Sequence, residues 1–217
     1  MRCLLLRRIP GRPLRPDREG LPAEGGRVSL AGDPRWQRFN DSSRACPCCG
    51  QAFSGVFDIG YDHPDPWPHG NRAQSGKDVL AVGDDKLTAD LCAFGKYRFV
   101  RCVLPIPIIG SDQRFAFGPW GSVSQDSYDI YVRNFYNPDE PFDGCFAWLT
   151  NQLPGFEIDE PLPCNLVPGA NGQRPVLEVH DGAHELAELQ ETGITFDRLL
   201  DIYAAAGQDI RPHLLQS

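Results

Sequence analysis

From residue 91 onward the apolar positions fall in short runs set off by glycine, proline and asparagine, not in long helical stripes. "LCAFGKYRFVRCVLPIPI" (91–108) has β-favouring residues on both sides of Phe94, Gly95 and Lys96. That is the pattern of a hairpin with a glycine turn and a long return strand over 97–104. "RFAFGPWGSVS" predicts another strand ending near Val123, where Ser124 can cap a helix carrying Tyr128, Tyr131 and Phe135 at i, i+3 and i+7. "GCFAWLTNQL", the stretch 165–167 and "PVLEV" (175–179) read as further strands between Pro, Gly or Asn residues. Thr195 caps "FDRLLDIYAAAG", whose Phe196, Leu199, Leu200 and Tyr203 share one face, and Gly207 is placed to end it. Strands dominate without strict strand–helix alternation, so the expected class is α+β: a largely antiparallel sheet with two or three helices packed on it.

Charge divides the chain. Residues 1–44 hold ten arginines against five acids, whereas 45–217 hold eleven basic residues against twenty-four acids. The first segment is rich in Arg, Pro and Gly without a sustained apolar period, the composition of a disordered tail. The expected organisation is therefore a basic tail over 1–44, one α+β domain over 45–210 and a short C-terminal tail over 211–217. A domain this acidic repels phosphate backbones, which disfavours nucleic acid and leaves a protein partner as the expected ligand class. Leu4, Leu5 and Leu6 are too few for a secretory signal, and Asp17, Glu19 and Glu24 argue against a transit peptide; a mis-assigned start codon is the plain alternative for this extension. No apolar run approaches the ~20 residues of a membrane span, and eight cysteines without a signal peptide suit a reducing compartment, hence the cytoplasm.

The cysteines carry the most specific chemistry. Cys46-Pro47-Cys48-Cys49-Gly50 contains a C-x₂-C-G knuckle, a spacing that aims two thiolates at one tetrahedral ion, so Cys46 and Cys49 are candidate zinc ligands. No second C-x₂-C or C-x₂₋₅-H follows, so the rest of the set would come from Cys48, His63, His69, Cys92 or Cys102. A regular hairpin sets Cys92 opposite Arg98, with Cys102 on the same face ~13 Å further along, too far for both to bind one ion without a bulge. Buried or free thiols and a redox pair are the competing readings, with burial the plain one for Cys145 and Cys164. "DIGYDHPDPWPHGN" (58–71) gathers Asp58, Asp62, His63, Asp65 and His69 around Trp67, either an acid/base or metal loop or a proline-stiffened surface loop. "HELAE" has Glu188 where a zinc protease needs its second histidine, and no nucleophile elbow, phosphate loop or dinucleotide fingerprint occurs. Arg98 and Arg101 have opposite parity, so one should face the core, with a carboxylate such as Asp90 as partner.

In order along the chain, Cys46/Cys49/Gly50 with Gly55, "DLC" (90–92), "RFVRCVLPIPI" (98–108), "FAFGPWGSVS" (115–124), "FAWLTNQLPGF" (146–156), "RPVLEV" (174–179) and His184 with "QETGIT" (190–195) resemble a bacterial domain-of-unknown-function family, number 2199. The resemblance runs from Ala45 to about Ala206 and implies a small bacterial domain without an assigned activity. Similar members commonly carry a histidine where this chain has Phe53, a residue that could have been a third metal ligand. Two functions are expected from these features. One is a non-catalytic binding or interaction module, regulatory or immunity-protein-like, with or without a structural zinc. The other is a small enzyme with a site at the Cys46/Cys49 knuckle and the His63/His69 loop, using His63, Asp62 or His184 as acid/base.

Overall fold

The computed structural model describes residues 29–43, 45–46, 50, 52–76, 78–169 and 172–214. After a 3-10 turn at Leu30–Gly32 come α1 (Pro34–Asn40), β1 (Ile59–Gly60), α2 (Arg72–Ser75), β2 (Leu80–Val82), β3 (Asp85–Leu87), β4 (Leu91–Phe94) and β5 (Tyr97–Arg101). Then follow β6 (Leu104–Pro107), β7 (Arg114–Gly118), β8 (Trp120–Val123), α3 (Gln125–Tyr136), β9 (Cys145–Leu149), β10 (Leu162–Val167) and β11 (Val176–Val179). The chain closes with α4 (Glu185–Thr192), α5 (Phe196–Ala205) and α6 (Arg211–Leu214).

Residues 115–121 are buried without alternation, the mark of a strand covered on both faces. So long a run bends rather than staying in one sheet. β5 passes through Cys102 and Val103 into β6, and β7 passes through Pro119 into β8. Pro119 has no N–H for the ladder, but its carbonyl accepts from Cys102 N–H at 2.8 Å, pinning the two strands where they change sheet. On one side lies an antiparallel sheet of order β11-β10-β9-β8-β5-β4-β3-β2; on the other, a small sheet of order β1-β7-β6 in which β1 runs parallel to β7. β11 returns to the corner: Val103 N–H donates to Pro175 O and Leu177 N–H to Val103 O, each at 2.9 Å. β6 to β11 thereby come full circle through one parallel bridge, Val103 to Val176. Gly121 sits where the ring is tightest, since a Cβ there would lie 3.3 Å from both Cys102 Sγ and Leu177 Cδ1.

Two cores result. The larger fills the ring and the space under the helices, with Leu104, Ile106, Phe117, Leu149, Leu166 and Leu177 among its residues. The smaller, on the opposite face of the large sheet, consists of Trp67, Leu87, Cys92, Phe99 and Trp120. The hairpin turn holds two residues, not three, with Phe94 opposite Tyr97, so Cys92 pairs with Phe99 and the expected pairing with Arg98 is off by one. Cys92 and Cys102 therefore have opposite parity and enter different cores.

The capped helices form as their sequences dictate. Ser124 Oγ accepts from Ser127 N–H at 3.1 Å and Thr195 Oγ1 from Arg198 N–H at 3.1 Å, while Gly207 has φ 81° just past α5. Gly193, at the end of α4, has φ 87° and a Cβ there would meet Pro107 O at 2.7 Å. The helices outnumber the two or three expected, and two of the additions lie in segments assigned to the tails. α1, in the segment assigned to the tail, buries Trp36 and Phe39, whose rings lie 5.0 and 5.6 Å from that of Phe196. α6, beyond the expected end at 210, buries Leu214. A short helix with only two large apolar residues leaves little periodicity to read, yet those two residues make it integral. Residues 1–28 and 215–217 lie outside the described residues. Phe39→Ala should therefore cost ~3–5 kcal/mol in urea unfolding, as for a core aromatic; a change below ~0.5 kcal/mol would mean that α1 is peripheral.

Candidate functional site

The outward face of β9, β10 and β11 follows from their register. Asn165 lies opposite both Phe146 and Glu178, and Pro163 lies opposite Trp148, so these side chains share one face while Ala147, Leu149, Cys164, Leu166 and Leu177 turn inward. Phe146 and Trp148 are 46% and 44% exposed, unusual for aromatic residues in the middle of a sheet. Their rings meet edge to face at 5.0 Å, and the imidazole of His180 lies 5.6 Å from Phe146. His180 Nε2 is 3.0 Å from Asn165 Oδ1, which holds the imidazole against the strand face.

Asn165 and His180 also line an open cleft of about 830 Å³. Its floor is the outward face of β6, β10 and β11, and α4 forms a wall with Ala187, Gln190 and Glu191. Gln190 fixes that wall: its Oε1 accepts from Val179 N–H and its Nε2 donates to Leu177 O, each at 2.9 Å. The cleft presents Glu178, Asp181 and Glu191 against a single full cation, Arg114. A concave wall carrying three carboxylates, with the exposed Phe146 and Trp148 rings on the adjoining strand face, suits a guanidinium or ammonium group that can meet both the negative charge and the ring faces.

In the 58–71 loop the polar side chains make contacts within the fold. Asp58 Oδ1 accepts from Ala116 N–H at 2.9 Å, and burial raises its pKa above the usual carboxylate range. Asn71 hydrogen-bonds to Asp62. Buried Asn151 donates to Asp65 Oδ1 at 2.6 Å and to His63 O at 3.2 Å, and accepts from Trp120 N–H at 2.8 Å, tying the loop over the smaller core. His63 Nδ1 is 2.9 Å from Pro64 O. His69 Nε2 lies 2.7 Å from Asp85 Oδ2, whose pKa this contact lowers. His184 is the N-cap of α4: its Nδ1 accepts from Leu186 N–H at 3.2 Å, and its Nε2 is 3.0 Å from Glu157 O. These imidazoles have separate partners and no shared one.

Cys46 is buried with its Sγ 3.2 Å from His213 Nδ1; Cys48 and Cys49 lie outside the described residues. Burial raises the pKa of Cys92 and of Cys164 to about 12 and that of Cys102 further still. Among the described residues, no group of three or more His, Cys, Asp or Glu side chains is placed to share a metal ion. Arg101 is the core-side arginine, but its guanidinium meets Ala89 O at 3.3 Å and the Trp120 ring at 6.0 Å, and burial lowers its pKa to about 10. Asp90, expected as its partner, pairs with Arg174 Nε at 2.6 Å instead.

The sequence reading missed His213, which it left in a tail, and the Phe146/Trp148 surface. In "CFAWL" every position is apolar, so the alternation that distinguishes outward Phe146 and Trp148 from inward Ala147 and Leu149 is hidden. Only residue size gave a hint: the two large rings alternate with smaller side chains.

The fold and cleft define a small α+β domain built around a bent β-hairpin, with an acidic, aromatic-edged recess on one face. The chain belongs to the family described as an uncharacterized protein conserved in bacteria, DUF2199, whose model matches residues 45–194. No curated protein and no solved structure matches it. Among the described residues no helix is long and apolar enough to cross a membrane. α1, α5 and α6, which pack together at one end, lie outside the matched span.

Two expectations follow from the buried groups. A raised pKa means that native Asp58 holds its proton more tightly than the unfolded chain does, so its ionisation costs stability as pH rises through the folded value. Asp58→Asn should thus melt close to wild type at pH ~3 and above it at pH ~7; a gap independent of pH would contradict this. At pH ~8, Cys92, Cys102 and Cys164 should resist iodoacetamide in native protein and react after unfolding, as read by peptide mapping, because so little thiolate is present. Rapid labelling of native Cys102 would show that its core opens.

Proposed function

We propose that this protein is a non-catalytic binding module of the bacterial cytoplasm whose recognition surface is the β9–β11 face with its cleft, and whose partner is a protein segment carrying arginine or lysine. The observation that carries this reading is the exposed Phe146/Trp148 pair, joined through Asn165 and His180 to a recess rimmed by Glu178, Asp181 and Glu191. Aromatic anchors beside a charged pocket concentrate binding energy in few residues, and the carboxylates add orientation and a faster encounter. The acidic balance of residues 45–217 favours a cationic partner and opposes nucleic acid. A regulatory or immunity-like role needs no more than such a surface. The separate structural contacts of His63, His69 and His184 give the enzyme reading no specific support.

The test is fluorescence anisotropy of the full chain with a labelled oligo-arginine peptide, with oligo-glutamate as control. Oligo-arginine should bind, more weakly as salt rises, and oligo-glutamate should not. Trp148→Ala should weaken binding by roughly 30-fold, the scale of an aromatic hot spot, while shifting unfolding stability by no more than about 1 kcal/mol. Glu178→Gln with Glu191→Gln should flatten the salt dependence. Binding that is indifferent to all three substitutions, or no binding, would overturn the proposal.

A further inference from the structure

The cleft opens where a rung of the ladder is missing. At the corner, Val103 and Val176 form a parallel bridge, with Val103 N–H donating to Pro175 O and Leu177 N–H to Val103 O. The next rung of a parallel ladder would run from the N–H of residue 105 to Leu177 O and from Val179 N–H to the carbonyl of residue 105. Residue 105 is proline and has no N–H to give. Gln190 serves both β11 groups instead, its Nε2 donating to Leu177 O and its Oε1 accepting from Val179 N–H. The ladder ends there, and the recess lined by Pro105, Pro107 and Gln190 lies along the seam.

The same strand order sorts the charge. Across the seam the strands run β7, β6, β11 and β10. Arg114 begins β7 opposite Pro107, so it stands at one flank of the cleft. Glu178 on β11 and Asp181 just past its end stand across the seam, two strand spacings or at least ~10 Å of backbone from β7. Glu191 faces the cleft from α4. Among the described residues Arg114 makes no ion pair and no side-chain hydrogen bond, and neither do Glu178, Asp181 or Glu191. By contrast, Arg35, Arg174, Arg198 and Arg211 each have a carboxylate within 3.4 Å. Opposite charges that line one recess yet stay out of each other's reach suit a ligand that carries both.

We infer that the cleft receives the C-terminal residue of a partner chain, an arginine or lysine, with its α-carboxylate on Arg114 and its side-chain cation among Glu178, Asp181 and Glu191. The inference rests on the reading of this face as a recognition surface and adds the end of the partner chain that enters it. A C-terminal basic residue brings a carboxylate and a cation on one residue, whereas a basic residue within a chain brings only the cation. The Arg114 guanidinium can meet a carboxylate through two parallel N–H···O bonds. The aliphatic stem of the guest packs on Pro105, Pro107 and Val176 while its charged head reaches the carboxylates.

The test is anisotropy of the full chain with a short labelled peptide ending in arginine, prepared once as the free acid and once as the C-terminal amide. The free acid should bind at least ~10-fold more tightly, the scale of one charge-assisted hydrogen-bonded pair. Arg114→Gln should bring the free acid down to the affinity of the amide and leave the amide unchanged or slightly tighter. Arg114→Lys should keep part of the preference, because it retains the charge without the planar fork. Both variants should unfold near the wild-type urea midpoint, since Arg114 has no ion pair to lose. Equal binding of acid and amide by wild type would overturn this inference and leave the recognition surface standing, whereas binding of neither would overturn both. An equal loss for the two peptides in Arg114→Gln would also overturn it, because Arg114 would then support the cleft without reading a carboxylate. An amidated peptide ending in arginine followed by glutamate that binds as tightly as the free acid would overturn the assignment to a chain terminus.

Discussion

The hydrogen bond from Cys102 N–H to Pro119 O marks the constraint on which the fold depends. Two apolar strands too long and too thoroughly buried to stay in one sheet cross there from the large sheet to the small one. Proline interrupts the ladder and the corner bond restores its continuity, at a site with no side chain room to spare around Gly121. Everything placed after the corner depends on its angle. β11 can close the ring only because Val103, just past the bend, offers its own N–H and C=O to Pro175 and Leu177. α4 then packs across β6 and is fixed there by Gly193 and by the double hydrogen bond of Gln190.

That geometry leaves the outer face of the large sheet unevenly covered. At the β2–β5 end the 58–71 loop lies over Trp67, Phe99 and Trp120, held by Asn151 and Asp65. At the β9–β11 end no such cover is present among the described residues, and Phe146 and Trp148 stand beside the cleft. One face thus has a covered half and, among the described residues, an uncovered half. The 58–71 loop lies over the covered half, and His63, Asp65 and His69 have hydrogen-bond partners there.

Strands β4, β5 and β9 to β11, the β7–β8 run read as one strand, and helices α3 and α5 were legible because alternation, caps and glycine ends act locally, whereas the bend that separates β6 from β5 and β8 from β7 was not. The class followed from their order. The register of the β4–β5 hairpin was not legible, since Phe94-Gly95-Lys96 fits a two- or three-residue turn and only packing in the smaller core decides. α1 was hidden by its arginine-rich neighbours, because composition averages over Trp36 and Phe39, two residues that contribute more than the segment's charge. The β11–Val103 closure and the meeting of Cys46 with His213 are long-range, and nothing in local pattern encodes them. Cys46 was recognisable as part of a motif, whereas His213, whose Nδ1 lies 3.2 Å from its Sγ, stands in a stretch read as tail.

The most direct test of the central claim, that the β9–β11 face is the recognition surface, is backbone amide NMR of the full chain titrated with oligo-arginine peptide. Shift changes should concentrate in 145–148, 163–167 and 176–191, and the 62–71 loop should stay unmoved. Changes centred on that loop, or changes spread evenly over the acidic surface, would contradict the account.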